Sequence, residues 1–171
     1  MQLTEHFTLE EFVVSDTAMR LGIDNTASDE ITINLIVVAN EMEKIRTFLG
    51  DKSIRINSGY RCEELEKVLC AKDFGGWCSR HGKDKETAWP EYFANKGHPK
   101  GFCADFVCPD FGTPTDIVAA LRKTDLVYDQ LILEGTWVHV SFAPAARMIA
   151  MSATFDNGVP SYQILSPTQS T

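Results

Sequence analysis

Residues 129–142 read DQLILEGTWVHVSF. Two apolar runs flank Gly135-Thr136, so the stretch reads as two strands, Asp129 to Glu134 and Trp137 to Phe142, joined by a two-residue turn. The turn sets the register: Glu134 faces Trp137, and Ile132 faces His139. Directly opposed residues share a sheet face, which puts Glu134 on the face of His139 as a diagonal neighbour, roughly 7 Å away. One hairpin therefore presents a histidine and a glutamate together.

A second apolar run lies upstream, GFCADFVC from Gly101 to Cys108, and it carries a carboxylate. On a strand, Asp105 shares a face with Cys103 and Val107. Buried carboxylates are rare unless paired or bound to a metal. His98 sits in the loop that feeds this strand, between Gly97 and Gly101. Taken singly, each residue has an ordinary reading: a satisfied core histidine, a carboxylate paired with an arginine, an exposed hairpin glutamate. Together, His98, Asp105 and His139 form a ligand set suited to catalytic zinc, with a fourth position for water. Glu134 then stands where a general base is needed.

The rest of the chain supplies scaffold. Thr8-Leu9-Glu10-Glu11 carries a capping-box pattern and predicts a short helix, and Ser15-Asp16 caps another turn that ends near Gly22. Ser28 or Asp29 caps a long helix in which Ile31, Leu35, Val38, Met42, Ile45 and Leu49 recur at helical spacing, with Gly50 as its stop. SIRIN, Ser53 to Asn57, reads as a strand, and Glu63 to Cys70 as a short helix. Lys72 to Asn95 shows no clear period and predicts an irregular segment. Thr113-Pro114 starts a helix that runs to about Lys123. Arg147 to Thr154 reads as one more strand, ending near Asn157-Gly158, and the tail SPTQST is polar and predicted to fray. This order predicts one α+β domain over residues 1–160, with helices packed on a small antiparallel sheet, an insertion at about 62–95, and a polar tail over 161–171.

Composition narrows the function. The 171 residues are 44% apolar and 23% charged, the balance of a globular chain. The net charge of −8 argues against nucleic acid, which needs a basic stripe. No segment is long and apolar enough to span a membrane. MQLTEHFTLEEF lacks the pattern of a secretory signal, so synthesis in a cytoplasm is expected, with action on a cell wall after lysis as one route out. The five cysteines, Cys62, Cys70, Cys78, Cys103 and Cys108, are then free thiols by default. Cys62, Cys70, Cys78 and His81 could form a second, structural zinc site, although their spacings match no standard pattern.

His98-x6-Asp105 followed by Trp137-Val138-His139 resembles the H-x6-D and W-x-H motifs of the D-Ala-D-Ala metallopeptidase group. That group includes zinc D-Ala-D-Ala carboxypeptidases, vancomycin-resistance dipeptidases and phage L-alanyl-D-glutamate endolysins, and hedgehog signalling domains share its fold. Ser58-Gly59-Tyr60-Arg61 resembles the group's S-G-Y-R segment. LTEHFTLEEFVVSDTA and DFVCPDFGTP resemble a phage and prophage branch. The resemblance covers about residues 2 to 144, apart from the middle insertion.

It implies a hedgehog-like fold, a Zn2+ cofactor on His98, Asp105 and His139, and peptidoglycan peptides as substrate. With the hairpin register supplying Glu134 as the catalytic base, Arg61 would be catalytic as well, and Arg61, Ser58, Tyr60 and Trp137 would bind substrate. A monomer is expected. The sequence departs from the family pattern at Lys96, where many members have serine. It departs again at Thr136, where many have an acid, with Glu134 five positions before His139. Two alternatives stand beside this reading: a non-catalytic zinc-bearing phage structural or wall-binding module, and a cytoplasmic D-Ala-D-Ala dipeptidase.

Overall fold

The structure, a computed structural model, describes residues 1–166. The chain opens with α1 (Leu9–Val13), α2 (Asp16–Leu21) and α3 (Asp29–Phe48). Glu11 reaches back to the Thr8 N–H at 2.7 Å and so closes the predicted capping box. Ser15 Oγ accepts from the Ala18 N–H, and Ser28 Oγ from the Ile31 N–H. The apolar stripe of α3 (Leu35, Val38, Met42, Ile45) is fully buried. Gly50, at φ 72°, ends the helix as expected.

Then come β1 (Arg55–Ser58), α4 (Glu63–Leu69), α5 (Ala71–His81), α6 (Trp89–Phe93), a 3₁₀ turn (His98–Lys100) and β2 (Cys103–Val107). The chain finishes with α7 (Pro114–Leu121), β3 (Gln130–Glu134), β4 (Trp137–Ser141), β5 (Ile149–Asp156) and β6 (Val159–Ile164). The sheet order is β1-β2-β4-β3-β5-β6. Its core face, with Ala104, Phe106, Leu131, Val138 and Val140, packs against α3 and α7. Each of the larger of these side chains, once fully buried, contributes about 1.5–3 kcal/mol. The opposite face is left for a cavity.

Three sequence expectations need correction. The sheet is mixed rather than antiparallel, because β3 and β5 pair in parallel. The segment expected to be irregular contains α5 and α6. Gly75 and Gly76 hid α5, but at Gly76 an added Cβ would lie 2.7 Å from Val159 Cγ1, so the glycine is a notch that lets α5 approach β6. Phe74, Trp77, Trp89 and Tyr92 then pack as an aromatic cluster, with ring centroids 5.1–6.4 Å apart. Finally, β6 takes in residues 161–164 of the expected tail. Pro160 and the polar residues masked this edge strand, where proline is tolerated. The frayed end expected for the tail lies, from residue 167 on, outside the described residues.

Candidate metal centre

The period of two along each strand decides what faces the cavity. Cys103 and Asp105 on β2, Ile132 and Glu134 on β3, and Trp137 and His139 on β4 line it, while the residues between them enter the core. The hairpin register is the one read from sequence: Ile132 pairs with His139, and Glu134 with Trp137. Gly135 takes φ 67° and Thr136 has no positive φ, as a II′ hairpin turn requires. Across the other edge of β4, Asp105 pairs directly with His139.

His98 arrives from the 3₁₀ turn. Its Nδ1 lies 2.5 Å from the Gly59 carbonyl oxygen, which makes Nδ1 the donor and leaves Nε2 free to ligate. That Nε2 is 3.4 Å from Asp105 Oδ1, and His139 Nδ1 is 2.8 Å from the same oxygen. All three residues are buried. Two imidazole nitrogens and a carboxylate oxygen thus meet on one spot, a donor set that suits zinc.

The other Asp105 oxygen, Oδ2, accepts from Arg61 NH2 at 2.5 Å. Arg61 also donates from Nε to Ser58 Oγ at 2.9 Å, and its NH1 lies 3.5 Å from Glu66 Oε2. Irregular register between Ile56 and Ser58 brings Ser58 opposite Asp105, which makes the Ser58 contact possible.

Charge follows this geometry. Burial alone would raise the Asp105 carboxyl, but the imidazoles of His98 and His139 and the Arg61 guanidinium hold it well below its usual range. Burial also opposes charge on His139; its contacts with Cys103 and Asp105 prevail and hold the imidazole well above its usual range. His98 is pushed down by burial and by Arg61. Glu134 is pushed up, because burial outweighs the attraction of His139.

The cavity measures about 420 Å³. The sheet forms its floor, Glu66 of α4, Cys70 between α4 and α5, and Asp73 of α5 form one wall, and Gly158, Pro160 and Tyr162 form another. Lys96 Nζ, 3.1 Å from Asp73 Oδ2, stands at the rim, and Tyr92 donates its hydroxyl to the same aspartate.

His98, Asp105, His139, Glu134, Arg61 and Trp137 therefore all line one cavity. Ser58 and Tyr60 do not line it. Ser58 is occupied by Arg61, and Tyr60 packs against the core while its N–H donates to the Phe12 carbonyl. Arg61 holds protein carboxylates rather than offering a free fork. Among the described residues, the Cys62, Cys70, Cys78 and His81 set does not assemble. Cys62 Sγ accepts from the Leu65 N–H, Cys70 Sγ donates to Glu66, and His81 stacks on Trp77. Among the described residues, the metal-type group is His98, Cys103 and His139, with one ligand atom from each within 4.8 Å of the others.

Sequence reasoning missed Glu66, which is 1% exposed, and nothing in CEELEK separates it from its glutamate neighbours. It also missed the part played by Cys103, although the strand period had placed that residue on the Asp105 face.

A family model described as Peptidase M15 matches residues 5–85. The match spans α1 to α5 and includes Arg61, and it supports a peptidase of the D-Ala-D-Ala metallopeptidase group. No curated protein matches the chain.

Proposed function

We propose, in line with the Peptidase M15 match over residues 5–85, that this chain is a zinc-dependent hydrolase of peptide bonds in peptidoglycan. One observation carries the reading: His98 Nε2 and His139 Nδ1 converge on a single oxygen of buried Asp105, on the cavity face that also carries Glu134. Zinc held there would polarise the scissile carbonyl and lower the pKa of a bound water to about 7.

The protein's own groups do the rest. Glu134, its pKa raised by burial, accepts a proton from the attacking water and returns it to the leaving amine. Arg61 fixes the carboxylate of Asp105 through Oδ2 and so leaves Oδ1 toward the imidazoles. Gly59 orients His98 through its carbonyl. Lys96 at the rim, shared with Asp73, gives the cavity a cationic group suited to a peptide carboxylate.

The test is digestion of purified peptidoglycan by the zinc-loaded chain, with the released fragments read by mass spectrometry. Free D-Ala-D-Ala and an L-alanyl-D-glutamyl peptide serve as parallel substrates. Cleavage at a peptide bond supports the reading, and its position separates carboxypeptidase from endopeptidase. If the zinc-loaded, folded chain leaves all three substrates intact, the reading fails. The non-catalytic zinc module then stands, and exposed Thr136, where many relatives carry an acid, is the feature that favours it.

A further inference from the structure

Cys103 lies two residues before Asp105 on β2, so its thiol points to the same sheet face. The residue is 1% exposed. It does not enter the apolar core, where a buried cysteine usually serves as a small hydrophobe. Instead, one ligand atom each from His98, Cys103 and His139 lies within 4.8 Å of the others.

The neighbouring loop is cut to fit this sulfur. A Cβ at Gly97 would stand 2.3 Å from Cys103 Sγ, so only glycine leaves room for the thiol beside His98. The other cysteines are engaged or buried away from the cavity floor. Cys62 caps α4, Cys70 donates to Glu66 on the cavity wall, and Cys78 and Cys108 are buried without lining the cavity.

We propose that Cys103 is itself a metal ligand, a sulfur donor that joins His98, Asp105 and His139. This inference rests on the metal-binding reading of the site. Two imidazoles and a thiolate are donors that zinc accepts, and the sulfur biases the site toward zinc over harder ions such as magnesium or manganese. A coordinating thiol is deprotonated, so its proton passes to solvent when the metal binds. With Cys103 bound, four protein donors fill zinc's usual tetrahedral shell, so a water or substrate enters as a fifth ligand or in place of one donor.

X-ray absorption on the intact chain carrying one equivalent of zinc reads the donors directly. The expected shell contains one sulfur at about 2.3 Å beside nitrogen and oxygen scatterers. In parallel, the cobalt-loaded chain is expected to show a sulfur-to-cobalt charge-transfer band in the near ultraviolet that Cys103→Ser abolishes. The same variant is expected to lose zinc affinity by at least about tenfold in competition with a chelator. A shell of nitrogen and oxygen only, with zinc bound, overturns the sulfur ligand and leaves the metal site standing. A sulfur signal that persists in Cys103→Ser assigns it to another thiol and also overturns the proposal. Failure to bind any metal overturns both. If Cys103→Ser does not fold, the absorption spectrum of the unaltered chain still decides.

Discussion

Asp105 shows how one side chain can organise a site. A carboxylate moved from water into a protein interior costs several kcal/mol unless it is compensated. Here two imidazoles and a guanidinium surround it. Glu134 has the opposite setting: burial outweighs the attraction of His139, and its proton affinity rises. Glu134→Gln keeps the size and removes the proposed base. Turnover of a peptide substrate is expected to fall about 10²–10⁴-fold, with zinc still bound in elemental analysis, because the glutamate is not among the proposed ligands. Loss of the zinc would mean that Glu134 supports the metal. Arg61→Ala removes the partner of two buried carboxylates. It is expected to cost about 3–5 kcal/mol in urea unfolding, whereas a guanidinium that merely waited for substrate would leave stability unchanged.

Elements hold these residues in register. Gly59 follows β1 and touches α1 so closely that an added Cβ would lie 2.7 Å from the Phe12 carbonyl oxygen. Its own carbonyl accepts from His98. Gly59→Ala is therefore expected to cost about 1–3 kcal/mol as an overpacking change and to weaken zinc binding as well, which chelator competition measures. A similar tie sits where β3 begins. Asp129, 2% exposed, accepts from the Arg147 N–H at 3.1 Å and from its guanidinium at 2.8 and 2.6 Å, and so pins the loop before β5.

Hydrogen bonding to Arg147 lowers the Asp129 pKa. A carboxyl with a depressed folded-state pKa adds stability above its unfolded value of about 3.9, and that stability is lost as pH falls through the folded value. Asp129→Asn is expected to cost about 1 kcal/mol at pH 7, discounted because Arg147 is half exposed. The gap from the parent should shrink on acidification below about pH 4. Urea midpoints at several pH values test this, and a gap that stays constant would remove Asp129 from the acid limb.

At the scale of the whole molecule, one sheet separates an apolar core from a polar cavity. Phe106 is fully buried on the core side, one residue from Asp105 on the other. Phe106→Ala is expected to cost about 3–5 kcal/mol, and calorimetry should show the entire domain melting earlier. A local loss confined to β2 would contradict the single shared core. Much of this was legible in order and spacing. The capping residues of α1 to α3, the stripe of α3 and the β3–β4 register all follow from capping patterns and from periods of 3.6 and 2 within short segments.

What the sequence determined by itself was therefore local: which residues share a face, where helices start, and which turn joins β3 to β4. Tertiary structure decided whatever depends on partners far away in the chain. The parallel pairing of β3 with β5 has no signature in either strand. Gly76 reads as a helix breaker until Val159 is seen to need the space, and β6 looks like tail until it finds β5. Tyr60 and Ser58 follow the same rule, since their segment resembled a binding motif while packing turned them to the core and to Arg61. Glu66 and Cys103 became part of the site only when α4 closed over the sheet and Gly97 made room for a sulfur. Side-chain periodicity is a property of the backbone and travels with the sequence, whereas burial and convergence are sums over neighbours that only the folded chain assembles.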